Sequence, residues 1–198
     1  MIKLEDKFLF SKGSERACYN HPLEKDKIIK ILYNKKYKSN QNYLEYKYYK
    51  KLKTKNVSFS HIARCYGFIE TSKGNGLVFE KITDYNGNTS RTFRDILLDE
   101  TLSYTEEKKL LNELEHYLLK NNILFADSTT VNLLCKEYQI NKYKLIIIDG
   151  LGAKREGLKF RLYLMFNFYN KYKIIKQWKI FLKNIDKVKK KIKLNQQL

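Results

Sequence analysis

The sequence predicts an α+β fold in two parts, a strand-rich N-terminal part with one helix and a helix-rich C-terminal part with one hairpin. Short apolar runs broken by turn residues occupy most of the first 80 residues, and helical periodicity dominates after residue 103. With 198 residues, 43% of them hydrophobic, the chain can bury one sizeable core. We therefore expect a single domain over residues 1–198, with an N-terminal lobe of about 1–82 and a C-terminal lobe of about 83–198.

Five strands and one helix account for the N-terminal part. The predicted strands are short apolar segments at residues 8–10, 17–19, 27–32, 66–70 and 77–80. Leu44, Tyr48 and Leu52 recur every four residues and predict a helix over 40–52. The Lys-Gly-Asn-Gly segment 73–76 predicts the turn between the last two strands, because glycine and asparagine adopt positive φ angles readily.

One capped helix and one hairpin form the core of the C-terminal part. Ser103 followed by Glu106 has the form of a capping box, and the apolar stripe behind it predicts a helix up to residues 121–122. The apolar segments 132–135 and 144–148 predict the two strands of the hairpin. The order of elements is therefore helix, strand, turn, strand.

A second helical region is predicted over residues 160–183, followed by a lysine-rich tail at 187–193. Lysines alternate with large apolar residues in this region. The pattern favours core helices whose lysines extend to solvent. Peripheral contact with an anionic membrane surface is the alternative.

Among the basic residues, lysine greatly outnumbers arginine. The formal charge is +19, but only 6 of the 40 basic residues are arginine, so 34 (40 minus 6) are lysine. A lysine excess spread along the whole chain indicates a compositional bias. Because arginine is the residue that binds phosphates and guanine edges with a planar fork, the shortage of arginine disfavours specific nucleic-acid binding.

Cysteine and histidine patterns exclude several classes of site. The three cysteines form no C-x-x-C pair, which indicates neither a disulfide framework nor a zinc site. None of the three histidines has a cysteine or an acid at the spacing typical of metal ligands. The position of His21 directly before Pro22 favours a structural role for this histidine in a turn. The chain has no apolar run of membrane-spanning length and no basic, apolar leader, so we expect a cytoplasmic protein. The oligomeric state is left open.

Five residues form a pattern typical of phosphoryl transfer. Asp127 and Asn132 are five positions apart, the spacing of the Asp and Asn in the kinase catalytic loop, and Asp149 follows the next strand. Lys30 ends a Lys-Ile-Ile-Lys segment on the predicted third strand, and Glu45 lies in the following helix. Phosphoryl transfer needs a group that holds ATP, hard oxygen ligands for Mg²⁺ and a group that orients the attacking hydroxyl. Lysine, carboxylates and an amide meet those needs.

The opening motif resembles that of a known family. The segment 13–22, Gly-Ser-Glu-Arg-Ala-Cys-Tyr-Asn-His-Pro, is similar to the start of the bacterial YrbL family, named for the PhoP regulatory network. That family resembles protein kinases in fold. The resemblance implies a two-lobed kinase-like fold with ATP and Mg²⁺ as cofactors. It implies that Lys30 contacts the phosphates, Glu45 orients Lys30, Asp127 faces the acceptor hydroxyl, and Asn132 and Asp149 hold the metal.

The resemblance also implies nucleotide contacts in two other places. Gly13, Ser14 and Arg16 belong to the turn expected to face the phosphates. Glu80 belongs to the strand beside which the nucleotide is expected. These residues complete the predicted cofactor site.

The sequence departs from protein kinases at three points. Gly13 is the single glycine of the phosphate-facing turn, Phe125-Ala126 precedes Asp127 where kinases carry His-Arg, and no Ala-Pro-Glu follows Asp149. These departures disfavour a regulated protein kinase and favour a phosphotransferase for a hydroxyl of a small-molecule, saccharide or lipid-linked acceptor. A catalytically silent regulatory protein with a kinase-like fold is the alternative. A basic nucleic-acid-binding protein is the third.

Overall fold

The computed structural model describes residues 1–34, 40–152 and 167–195. Internal contacts divide the chain into two units: unit 1 contains residues 1–59 and 63–82, and unit 2 contains residues 60–62 and 83–198. Both units combine helices with antiparallel sheet, which confirms the predicted α+β class. The interpretation of the units as lobes of one domain stays a prediction.

The described residues of unit 1 form a five-stranded antiparallel sheet, one α-helix and a short 3₁₀ helix at Asp6–Phe8. The sheet has the order β1-β2-β3-β5-β4, so helix α1 connects β3 with an edge strand. All five predicted strands are present: the third has the predicted bounds, the first begins one residue later and ends two residues later, and the other three are longer than predicted. The elements are β1 (Leu9–Lys12), β2 (Arg16–Asn20), β3 (Lys27–Leu32), α1 (Gln41–Thr54), β4 (Cys65–Thr71) and β5 (Gly74–Glu80).

The two faces of the unit 1 sheet have different coverings. Ala17, Tyr19, Ile29, Ile31 and Val78 alternate along three strands and form a buried cluster on one face. On the other face Tyr49 of α1 packs edge-on against Phe79 of β5, with ring centroids 5.3 Å apart. Leu44, Tyr48 and Leu52 are buried, as the four-residue spacing predicts.

Residues 2–4 are joined to the turn after β4. The amide of Ile2 donates to the carbonyl of Glu70, and the amide of Ser72 donates to the carbonyl of Ile2, at 2.8 and 2.9 Å. Leu4 is buried in the cluster described above, and its amide donates to the Ser72 hydroxyl. This segment therefore closes one side of the unit 1 core.

The turn between β4 and β5 lies earlier than the sequence predicts. Residues 73–76 were expected to form it, but β4 ends at Thr71 and β5 begins at Gly74. The Thr71 hydroxyl accepts from the Lys73 amide and donates to the Gly74 carbonyl, which stabilises the shorter turn. Gly76 is a strand residue paired with Ile31 and Ile69.

Unit 2 contains a three-stranded antiparallel sheet and the remaining described helices. The predicted capped helix is α3, whose N-terminus carries a full capping box between Ser103 and Glu106. The predicted hairpin is β7 and β8, with the turn at residues 140–141. Strand β6 and helix α2 are short and were not predicted. The elements are β6 (Arg91–Thr92), α2 (Phe93–Leu98), α3 (Tyr104–Lys120), β7 (Leu133–Gln139), β8 (Lys142–Ile147) and α4 (Asn167–Asn195).

Helix α4 confirms part of the predicted second helical region. The predicted residues 160–166 lie outside the described residues. Ile174, Trp178, Phe181 and Ile185 form a buried stripe along α4, as expected for a core helix, and the lysine-rich segment 187–193 continues the same helix. Within the described ranges, no helix has the length and apolar character of a membrane span.

The packing around Gly76 leads to a stability prediction. A Cβ at this position would lie 2.3 Å from Ile29 Cγ2 and 2.9 Å from Ile31 Cδ1, and both isoleucines are buried. We expect Gly76→Ala to lower the free energy of unfolding by about 1–3 kcal/mol, because the overpacked core must shift. Urea denaturation measures the change. Asn75→Ala, at the exposed neighbouring position, is the control, and equal loss in both variants would contradict the steric explanation.

Candidate functional site

Lys30 and Glu45 form a buried ion pair within unit 1. The Lys30 Nζ atom lies 3.3 Å from Glu45 Oε1 and 3.4 Å from Oε2. Lys30 is central in β3, paired with Cys18 and Leu77, and its side chain is on the sheet face that α1 covers. The exposed fractions are 3% for Lys30 and 2% for Glu45. The sequence prediction that these two residues meet is therefore consistent with the geometry.

The aromatic ring of Phe79 lies beneath the ammonium group of Lys30. The Nζ atom is 4.1 Å from the ring centroid, a cation–π distance. Phe79 is also the residue on which Tyr49 of α1 packs. The same ring thus supports the lysine and the helix that carries its partner.

Arg16 has a different environment from the one the sequence predicts. It was expected in the phosphate-facing turn, but it is the first residue of β2 and is buried. Its Nη1 atom donates to Glu45 Oε2 at 2.5 Å and to Asn42 Oδ1 at 3.2 Å. Asn42 in turn donates through Nδ2 to the carbonyl of Lys30 at 2.9 Å. Arg16 and Asn42 extend the ion pair into a buried network that the sequence analysis did not identify.

Gly13 and Ser14 lie in the exposed turn between β1 and β2, as predicted. The Gly13 amide donates to the carbonyl of Arg16 at 2.8 Å. The Tyr33 hydroxyl donates to the Gly13 carbonyl, and Asn34 Nδ2 donates to the Ser14 carbonyl at 3.2 Å. The turn is therefore supported by residues that directly follow β3.

Glu80, the predicted nucleotide contact on β5, is half-buried at the end of its strand. Its Oε2 atom accepts from the Arg64 amide at 3.1 Å, and its own amide donates to the Arg64 carbonyl at 2.9 Å. These bonds fix the entry into β4. A role of Glu80 in nucleotide binding stays a prediction.

Asp127, Asn132 and Gly150 meet within unit 2. The Asp127 amide donates to the carbonyl of Gly150 at 2.9 Å, and Asn132 Nδ2 donates to the carbonyl of Asp127 at 3.0 Å. The Thr129 amide donates to the same Asp127 carbonyl, and the Ile148 amide donates to the carbonyl of Asn132. Backbone bonds therefore place the predicted Asp, Asn and Asp-Gly residues side by side.

A glycine is required directly after Asp149. Gly150 has φ +81°, a conformation that L side chains rarely adopt, and its amide donates to Asp149 Oδ1 at 2.6 Å. A Cβ at Gly150 would lie 2.8 Å from both the Cβ and the carbonyl oxygen of Asp127, and 3.1 Å from Asn132 Nδ2. The absence of a side chain thus permits the close approach of the two segments.

An isolated antiparallel bridge holds these segments from the side. Phe125 pairs with Leu151, and the Gly152 amide donates to the carbonyl of Leu124 at 2.9 Å. Leu124, Phe125 and Leu151 are all buried. Buried apolar residues therefore flank the segments that carry Asp127 and Asp149.

The oxygen atoms near this cluster suit a hard cation. Asn132 Nδ2 is bonded to Asp127, so Oδ1 is the atom through which this amide would bind a metal. Amide and carboxylate oxygens are the ligands that Mg²⁺ prefers. Within the described parts of the chain, no group of three or more His, Cys, Asp or Glu has metal-binding geometry. The oxygens of Asn132 and Asp149 are of the type that Mg²⁺ accepts as ligands, and Mg²⁺ binding by these two residues stays a prediction.

Two cysteines and two histidines are buried, namely Cys65, Cys135, His21 and His61, whereas Cys18 is half-buried and His116 is exposed. Burial raises the pKa of Cys65 to about 11 and that of Cys135 to about 12, so both thiols stay protonated at neutral pH. His61 is buried, its Nδ1 atom is 2.9 Å from the Leu145 carbonyl, and burial lowers its pKa. His21 Nδ1 accepts from the Glu24 amide at 3.0 Å, which supports the expected structural role in the turn before β3.

Comparison with known families identifies the class of this α+β chain. The family model described as PhoP regulatory network protein YrbL matches residues 2–186, so the chain belongs to the YrbL family. Its relatives include the uncharacterized protein YrbL of Escherichia coli (strain K12) and that of Shigella flexneri. Each is 30% identical over 157 residues, which cover 77% of this chain and 74% of the relative. The family resemblance noted in the opening motif is therefore confirmed.

The close approach of Gly150 to Asp127 leads to a second stability prediction. We expect Gly150→Ala to lower the free energy of unfolding by about 2–4 kcal/mol, since it adds a steric clash to the cost of a positive φ. Gly87→Ala is a matched control, because Gly87 has φ +85° and no atom within 4 Å of an added Cβ. Urea denaturation of both variants separates the two costs. Similar losses would show that backbone conformation alone requires Gly150.

Proposed function

We propose that this protein is an ATP- and Mg²⁺-dependent phosphotransferase of the kinase-like superfamily. Its acceptor would be a hydroxyl of a small-molecule, saccharide or lipid-linked substrate. The observation that carries the proposal is the buried ion pair between Lys30 on β3 and Glu45 on the following helix. Protein kinases place the phosphate-binding lysine on their third strand and pair it with a glutamate of helix αC.

The cost of burying this pair supports a ligand-binding role. Apolar residues of similar volume often stabilise a protein as well as a buried ion pair does, or better. A lysine and a glutamate buried this deeply are better explained by function than by stability alone. The order of β1–β5 and the position of α1 between β3 and β4 also support a kinase-like N-terminal lobe.

The residues of unit 2 supply the other half of the proposed chemistry. Asp127 would accept a hydrogen bond from the acceptor hydroxyl and orient its oxygen towards the γ-phosphorus. Asn132 and Asp149 would hold Mg²⁺, which when bound offsets the negative charge of the phosphates. Hydrogen bonds hold the Asp127 backbone and the Asn132 amide in place, which supports a preorganised site.

The β1–β2 turn fits a role as a phosphate cover made from backbone. Gly13 and Ser14 are exposed, and residues after β3 support the turn from below. Successive backbone amides in such turns bind anions without a glycine at every position. We retain Gly13, Ser14 and Glu80 as nucleotide contacts and assign Arg16 a different task below.

A catalytically silent regulatory protein is the second candidate function. The description of the family as a PhoP regulatory network protein favours it, as does the single glycine in the phosphate-facing turn. In that case the protein would bind a partner, and nucleotide would be unnecessary. Nucleotide binding separates the two candidates directly.

A thermal-shift titration with ATP, in the presence and absence of Mg²⁺, tests the proposed function. A ligand that binds the native state at 100 times its Kd stabilises that state by about 2.7 kcal/mol. We expect a Mg²⁺-dependent shift in the unmodified protein. Lys30→Met and Asp149→Asn should each reduce the shift, because one removes the phosphate contact and the other a metal ligand.

Two variants provide matched controls for this titration. Lys27→Met removes a lysine from the same strand, and Asp186→Asn removes an exposed carboxylate from α4. Both should keep the shift of the unmodified protein. Absence of any shift at millimolar ATP would refute the phosphotransferase and favour the silent regulatory protein.

A further inference from the structure

We infer that Arg16 is a positioning residue that holds Glu45 against Lys30, so that the ion pair is assembled before any ligand or activating signal arrives. This inference rests on the proposed function for its consequence, nucleotide affinity. The arrangement itself rests on contacts within unit 1. It replaces the direct phosphate contact that the sequence suggests for Arg16.

Four contacts fix the N-terminal end of α1, where Glu45 lies. Arg16 on β2 donates to Glu45 Oε2, Lys30 on β3 lies within 3.4 Å of both carboxylate oxygens, and Asn42 on α1 donates to the Lys30 carbonyl. Arg16 also donates to Asn42. The helix is thus bonded to two neighbouring strands through side chains that lie one helical turn apart, and Glu45 has little freedom to turn away from Lys30.

The choice of arginine at position 16 is informative in this chain. Lysine is the basic residue at 34 of 40 positions, counted as 40 minus 6, so arginine is the exception. Arginine is more weakly hydrated than lysine and is preferred for buried ion pairs. Arg16 is 9% exposed, which is the environment in which that preference applies.

A second cation on Glu45 has a consequence for the nucleotide. In protein kinases the lysine–glutamate pair must be in place for activity, and activation-loop phosphorylation and helix position control it. In this protein the hydrogen bond from Arg16 on β2 to Glu45 would hold the pair in place within unit 1. We therefore expect the unmodified protein to bind Mg·ATP without prior phosphorylation or a partner.

A double-mutant cycle between Arg16 and Glu45 tests the inference. The variants are Arg16→Met, Glu45→Gln and the double variant, with Arg64→Met as a matched control at an exposed arginine of the same unit. Each is measured for urea unfolding and for Mg·ATP affinity. We expect Arg16→Met to weaken Mg·ATP binding about tenfold, and to cause no further loss once Glu45→Gln is present.

The outcomes separate positioning from the other roles. If Arg16→Met weakens Mg·ATP binding by the same factor with Glu45 and with Glu45→Gln, Arg16 contacts the phosphates itself. If Arg16→Met lowers stability and leaves Mg·ATP affinity unchanged, its role is purely structural. Either result overturns the inference. Arg16→Lys should bind Mg·ATP more tightly than Arg16→Met but less tightly than the unmodified protein, because it keeps the positive charge beside Glu45 on a side chain less suited to a buried ion pair. If Arg16→Met does not fold, Arg16→Gln takes its place in the cycle.

Urea unfolding in the absence of nucleotide tests the contact between Arg16 and Glu45 separately from nucleotide binding. Coupling of about tenfold or more in the unfolding equilibrium constant between Arg16 and Glu45 is expected for a buried ion pair. Additive effects on unfolding would overturn the inference whatever the nucleotide does. Clear coupling in a protein that does not bind Mg·ATP would instead refute the proposed function and leave the contact between Arg16 and Glu45 intact.

Discussion

The buried carboxylate of Glu45 is the constraint on which the organisation of unit 1 depends. A charge with 2% exposure is tolerated only where opposite charges and hydrogen-bond donors lie within a few ångströms. Those donors come from β2 and β3, and the carboxylate comes from α1. The position of α1 on the sheet therefore depends on electrostatic contacts with β2 and β3 as well as on the apolar contact of Tyr49 with Phe79.

The candidate site residues of unit 2 are positioned by different interactions from those of unit 1. The acids and amide of unit 2 are positioned by hydrogen bonds to the backbone and by the lack of a side chain at Gly150. The carbonyls of Asp127 and Gly150 accept hydrogen bonds from the neighbouring segment. The proposed metal ligands thus lie on segments that are joined by hydrogen bonds and by close backbone packing at Gly150.

Periodicity and turn chemistry predicted most elements, because they depend on neighbours in sequence. The strands of unit 1, the capped α3 and the β7–β8 hairpin follow from such local signals. The role of Gly76 was misjudged, since its neighbours Ile29 and Ile31 come from another strand. The burial of Arg16 could not be predicted for the same reason: Glu45 is 29 positions away, and the pairing of β2 with β3 together with the packing of α1 on the sheet brings the two residues into contact. Residue types identified the candidate site, whereas tertiary pairing determines which atoms touch.

The bonds from residues 2–4 to the end of β4 have a consequence for biosynthesis. Leu4 reaches its place only when Ser72, 68 positions later, is available to receive it. Closing a loop of that size costs entropy that is recovered only when β5 completes the sheet. During translation, Leu4 therefore stays exposed to solvent until the chain as far as β5 has left the ribosome, and other proteins can bind it in that interval.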